Sequence, residues 1–121
     1  LHFANPGFGL LPCLNIILVG GLFALVTLRS GSLAAAIGYH ITWNFFQGNV
    51  FGVLVSGTDT NAASLISGEL TRANIWNGGN FGAEGGLYVT LLLVVSIALA
   101  WKFWPKGEAP AKAAAQLPNE A

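Results

Sequence analysis

The stretch LLPCLNIILVGGLFALVTL, residues 10–28, carries no charged side chain, and its only polar ones beyond the cysteine are Asn15 and Thr27. About 20 apolar residues in a helix cross the hydrocarbon core of a bilayer. Pro12 fits that reading, because a helix tolerates proline in its opening turn, where the missing N–H has no partner to lose. Two further stretches read the same way: LAAAIGYHITWNFFQGNVFGVLV, residues 33–55, and LYVTLLLVVSIALAWKFW, residues 87–104. A backbone in lipid must satisfy its own hydrogen bonds, so each is predicted to be helical. The ten-residue alternating segments of an outer-membrane barrel are absent.

Composition agrees. The 121 residues include five Lys or Arg and five Asp or Glu, so that charged types make 8% and hydrophobic types 54%. A soluble domain carries about 25% charged residues, and a small one cannot keep so apolar a chain out of water. Disorder is excluded from the other side, since disordered chains are charged and poor in hydrophobics. The fold class predicted is all-α: a polytopic membrane helix bundle with three transmembrane helices, a short surface helix and a disordered C-terminal tail.

Charge placement orients the bundle. Arg29 lies between the first two spans, while Lys102, Lys106 and Lys112 follow the third. Two crossings separate these points, so both fall on one side, which the positive-inside rule makes cytoplasmic. The chain is thus predicted to be a multi-pass cell-membrane protein with a cytoplasmic C-terminus. The loop 56–86 is then extracytoplasmic. Within it, Leu65, Ile66, Leu70, Ala73 and Trp76 share a face over 61–76, which predicts a helix lying on the membrane surface. Asn77-Gly78-Gly79-Asn80 reads as a turn, and Glu84 suits the N-terminus of the helix that follows. Residues 105–121, rich in Ala, Pro, Lys and Glu, read as a disordered cytoplasmic tail. The sequence starts at Leu1 and contains no Met, and no signal peptide is visible. Residues 1–104 therefore read as the C-terminal part of a longer membrane protein.

No basic cluster points to nucleic acid, and the single Cys13 has no partner for a disulfide or a thiolate metal site. The chemistry-bearing feature lies in the second span, where His40, Asn44 and Gln47 are spaced i, i+4 and i+7 and so share one helix face. At 1.5 Å per residue, His40 lies roughly 12 Å inside the cytoplasmic end. Gly48 on the same stripe permits close approach. Polar residues inside a span either hydrogen-bond neighbouring helices or form a functional site. Asn15 reads as the former kind. His2 precedes Ala4-Asn5-Pro6-Gly7, a turn signal, and reads as the end of a preceding helix.

Together these strings resemble a known family. His2-Phe-Ala-Asn-Pro, then FALVTLRSGSLAAAIGYHITWN, then FFQGNVFGVLVSG resemble the CAAX protease and bacteriocin-processing (CPBP, Abi-type) intramembrane endopeptidases. That family carries Glu-Glu-x-x-x-Arg, Phe-x-x-x-His and His-x-x-x-Asn motifs. His40-Ile-Thr-Trp-Asn44 matches the third, and His2 falls at the histidine of the second. The first motif is absent, and no Asp or Glu lies in any predicted span. The resemblance implies peptide-bond hydrolysis inside the bilayer: His40 positions or polarises the attacking water, His2 assists, and Asn44 donates to the oxyanion. It implies membrane lipid and a peptide or protein substrate as partners, prenylated or not, and no cofactor. Without the glutamate motif, residues 1–121 are predicted to be inert alone. A non-catalytic immunity or scaffold protein of the same fold is the alternative. A zinc ion held by His2 and His40 would need further ligands, since catalytic zinc takes three from the protein.

Overall fold

The computed structural model describes residues 2–59, 63–66 and 74–105. Three helices dominate: α1 (Leu10–Ser30), α2 (Ala34–Phe45) and α3 (Leu87–Phe103). At 1.5 Å per residue, the 21 residues of α1 extend about 32 Å, matching a hydrocarbon core of about 30 Å. Among the described residues it is the one helix both long and apolar enough to cross a membrane. The 17 residues of α3 form a shorter apolar helix.

α1 and α3 run parallel. Near the start of α1, Asn15 meets the residues that begin α3. At its end, the Arg29 guanidinium lies 4.9 Å from the centre of the Trp101 ring and donates to the Trp104 carbonyl at 3.2 Å. Arg29 and Lys102 therefore lie at the same end of the pair. The core between the helices is built from Leu22, Val26, Leu93 and Ala100, with Leu18, Val19, Val89 and Ile97 packed around it. Ala100, a small residue of the kind that suits helix packing where the surroundings are themselves apolar, is buried in this core. The outward faces stay apolar: Leu91, Leu92, Val94, Val95 and Leu99 of α3 are all exposed. A continuous face of this kind is out of place in water.

The second helix departs from the sequence reading, which carries a span from 33 to 55. α2 ends its α-helical part at Phe45 and passes into one π turn, Phe46–Val50. That turn is closed by the Phe51 N–H donating to the Phe46 carbonyl at 2.9 Å. Beyond it the chain reverses. The Gln47 amide donates to the Leu54 carbonyl at 2.5 Å, and the Val53 N–H donates to the Gln47 carbonyl at 2.9 Å. Gln47, which is buried, thus terminates the helix rather than continuing a polar stripe along it.

The surface helix drawn over 61–76 is also corrected where the structure describes it. Residues 63–66 are not helical, with a bend at 65–66, and residues 74–76 open a turn; the remainder of that stretch lies outside the described residues. The backbone N–H groups of Leu65 and Ile66 donate to the Asn49 and Val50 carbonyls at 3.0 and 2.9 Å. They are therefore committed to the π turn instead of to a helix of their own. The Asn74 side chain accepts from the Trp76 and Asn77 N–H groups, which favours a turn over a helix. The 77–80 turn is present, with Gly78 and Gly79 both at positive φ. The tail from 106 onward lies outside the described residues.

Candidate active site

His2 and His40, separated in sequence by the whole of α1, line one cavity. The N-terminal segment is held there by close backbone packing. Gly7 has φ +74°, and a Cβ built on it would lie 2.7 Å from Asn80 and Phe81 backbone atoms. Gly57 has φ +78°, and a Cβ there would run into the Pro6 carbonyl oxygen. A side chain at either position would meet both a left-handed backbone and a backbone wall. Phe8 adds ring contacts to Phe3 and Phe81, with Phe81 fully buried. His2 thereby sits in a short 3-10 turn, His2–Ala4, against the loops rather than extending away from them.

His40 comes from α2 and is exposed on the cavity side, its ring 5.6 Å from that of Phe23 on α1. Phe23 also meets Tyr39 edge-on, and Tyr39 stacks on Trp43 with planes 7° apart. These rings form an aromatic wall. The polar part of the lining is made by His2, Asn15, His40, Ser56 and Glu84. The cavity measures about 120 Å³, room for a few waters at roughly 30 Å³ each. It is well short of the ~300 Å³ of a small-molecule pocket, so it suits a reacting group more than a whole ligand.

Asn44, one turn beyond His40, is half-buried and lies outside the cavity lining, and its Oδ1 has no hydrogen-bond partner among the described residues. The π turn also separates Gln47 from its neighbours on the stripe: it does not line the cavity, and its amide is spent on Leu54. Asn15 meets the expectation for a helix-joining amide. It is 2% exposed, donates to the Glu84 and Gly86 carbonyls at 2.7 and 3.1 Å, and accepts from the Thr90 hydroxyl at 2.7 Å.

Sequence reasoning missed Glu84. It sits in the 3-10 turn Ala83–Gly85 directly before α3, where an acid is expected to serve the helix N-terminus. Its carboxylate instead turns across the bundle, accepting from the Trp43 indole N–H at 3.0 Å and from the Ser56 hydroxyl. The available signal was a single acidic residue set between Gly82 and the pair Gly85-Gly86 at the mouth of an apolar helix. Among the described residues, no group of three or more His, Cys, Asp or Glu is placed to hold a metal ion.

The comparison with protein families bears on the residues just described. A family model for type II CAAX prenyl endopeptidase Rce1-like proteins matches residues 1–46. The matched stretch contains His2, His40 and Asn44, and over it the resemblance drawn from the motifs holds. That family is one of membrane proteases. No curated protein and no solved structure matches the chain.

Proposed function

We propose that residues 1–104, whose first 46 match the CAAX prenyl endopeptidase family, form part of an intramembrane endopeptidase. It hydrolyses a peptide bond near the C-terminus of a membrane-associated substrate such as a prenylated peptide. The observation that carries this reading is the meeting of His2 and His40 at one cavity, despite the 21-residue helix between them. Helix-joining polar residues have no need of that convergence.

In this reading His40 orients the water that attacks the scissile carbonyl, and His2 assists. Addition of the water gives a tetrahedral oxyanion, to which the Asn44 amide donates as the substrate enters. A donor so placed in a dry site is worth about 3 kcal/mol. The attacking water gives its proton to the glutamate base that the family's first motif supplies, outside residues 1–121, and the departing amine takes that proton up as the intermediate collapses and the C–N bond breaks. No metal takes part, and the end of the bundle bearing Arg29 and Lys102 is the cytoplasmic one.

The test is hydrolysis by the full-length protein in proteoliposomes, with products identified by mass spectrometry. Prenylated and unprenylated peptides are compared. The wild type cleaves with or without a zinc chelator, and His40→Ala does not cleave while inserting normally. A wild type that binds such peptides without cutting them would favour the scaffold alternative, and loss of cleavage on chelation would restore zinc.

A further inference from the structure

We infer that Glu84 is the positioning residue of this site, fixing the segment that carries His2 against the helix that carries His40. The inference deepens the peptidase reading and rests on it for its kinetic part. Both halves of the site meet at this one carboxylate. On one side Oε1 accepts from the Nε1–H of Trp43, which follows His40 by three residues on α2. On the other, Oε2 accepts from the Ser56 hydroxyl.

Ser56 leads to His2. Its carbonyl accepts from the Asn5 side-chain amide at 2.7 Å, and that same amide nitrogen lies 3.5 Å from Nδ1 of His2. Ser56 is also the one described non-glycine residue at positive φ, +48°. Such a conformation persists only where surrounding contacts over-determine it. Here Asn5 holds the Ser56 carbonyl and Glu84 holds its hydroxyl.

The third helix is joined to the same point. The Glu84 carbonyl accepts from Asn15 of α1, and α3 begins three residues later. One half-buried residue therefore links α1, α2, α3 and the N-terminal segment at the depth of the cavity. A polar side chain beside an apolar bundle is costly unless it is paired. The two hydrogen bonds from Trp43 and Ser56 offset that cost. With both oxygens engaged by protein donors, the carboxylate acts through Trp43 and Ser56 rather than on a substrate.

The geometry leads to a definite pattern in the full-length protein. Misplacing a catalytic group by about 1 Å costs roughly 10²-fold, so Glu84→Ala lowers kcat by about 10- to 100-fold with KM little changed. Glu84→Gln retains most of the rate, because its amide oxygen accepts from Trp43 and its NH₂ donates to Ser56 Oγ. Trp43→Phe and Ser56→Ala each remove one arm, and keep the test open if Glu84→Ala fails to fold.

A structural readout runs beside the kinetics: the NMR signals of the Trp43 indole N–H, assigned with Trp43→Phe, and of the His2 imidazole. Glu84→Ala moves both signals and Glu84→Gln moves neither far; with Ser56→Ala only the His2 signal moves. Three results would overturn the inference. These are full activity in Glu84→Ala, Glu84→Gln as inactive as Glu84→Ala, or a Trp43 shift with His2 unmoved. Should the wild type hydrolyse nothing, the peptidase reading fails, while the paired shifts still decide whether Glu84 joins the two segments.

Discussion

Replacing Asn15 tests whether the polar layer at the base of the cavity holds the bundle together. Its side chain makes three hydrogen bonds from α1 to the start of α3, to the Glu84 carbonyl, the Gly86 carbonyl and the Thr90 hydroxyl. Such bonds between membrane helices average about 0.6 kcal/mol each, so their joint loss costs roughly 2 kcal/mol. Gly86 keeps other donors, since the Val89 and Thr90 N–H groups already reach its carbonyl. Glu84 loses a buried contact, and a stranded acceptor adds about 1 kcal/mol. Asn15→Ala is therefore expected to destabilise by about 2–3 kcal/mol, read as the SDS fraction at half-unfolding in mixed micelles. The argument becomes specific in a double-mutant cycle with Thr90→Val, which removes only the hydroxyl. The cycle should show coupling of about 0.6–1.7 kcal/mol. Additivity to within about 0.3 kcal/mol, the behaviour of independent sites, would refute it.

Other residues make distinct predictions. Asn44→Ala lowers turnover by about 10²–10³ if its amide meets the oxyanion, with unfolding little changed; Gln47→Ala does the reverse, since Gln47 closes the end of α2 onto Leu54. Arg29→Ala loses the stacking on Trp101 and the bond to Trp104, a cost of about 0.5–1 kcal/mol, visible as a red-shifted tryptophan emission and a lower unfolding midpoint. Gly57→Ala meets the Pro6 carbonyl at φ +78° and destabilises by more than about 1 kcal/mol. It also releases the His2 segment, so peptidase activity falls with stability.

The apolar stretches were readable because each is a run of one chemical kind. α1 and α3 lie within a residue or two of where hydropathy puts them. The second stretch was read too long, because hydropathy does not register that a glutamine side chain can capture the carbonyl of Leu54 and reverse the chain. Over residues 63–66 the surface-helix periodicity was a local signal outcompeted by pairing of Leu65 and Ile66 with the π turn. His2 and His40 could be placed together only through the motif order of a family, since no spacing rule brings residues 38 apart to one cavity. Glu84 escaped notice because a carboxylate before a helix has an adequate local explanation. Its actual partners, Trp43 and Ser56, are distant in sequence and become neighbours only when the bundle closes.

The central claim is that His2 and His40 act as a unit on one peptide bond. It is tested most directly by the rate of peptide hydrolysis in full-length protein carrying His2→Ala, His40→Ala and both changes. Groups that act together in one step show strongly non-additive losses. The account predicts that the double variant is no slower than His40→Ala alone. Losses that multiply, or full activity in His40→Ala, would contradict it.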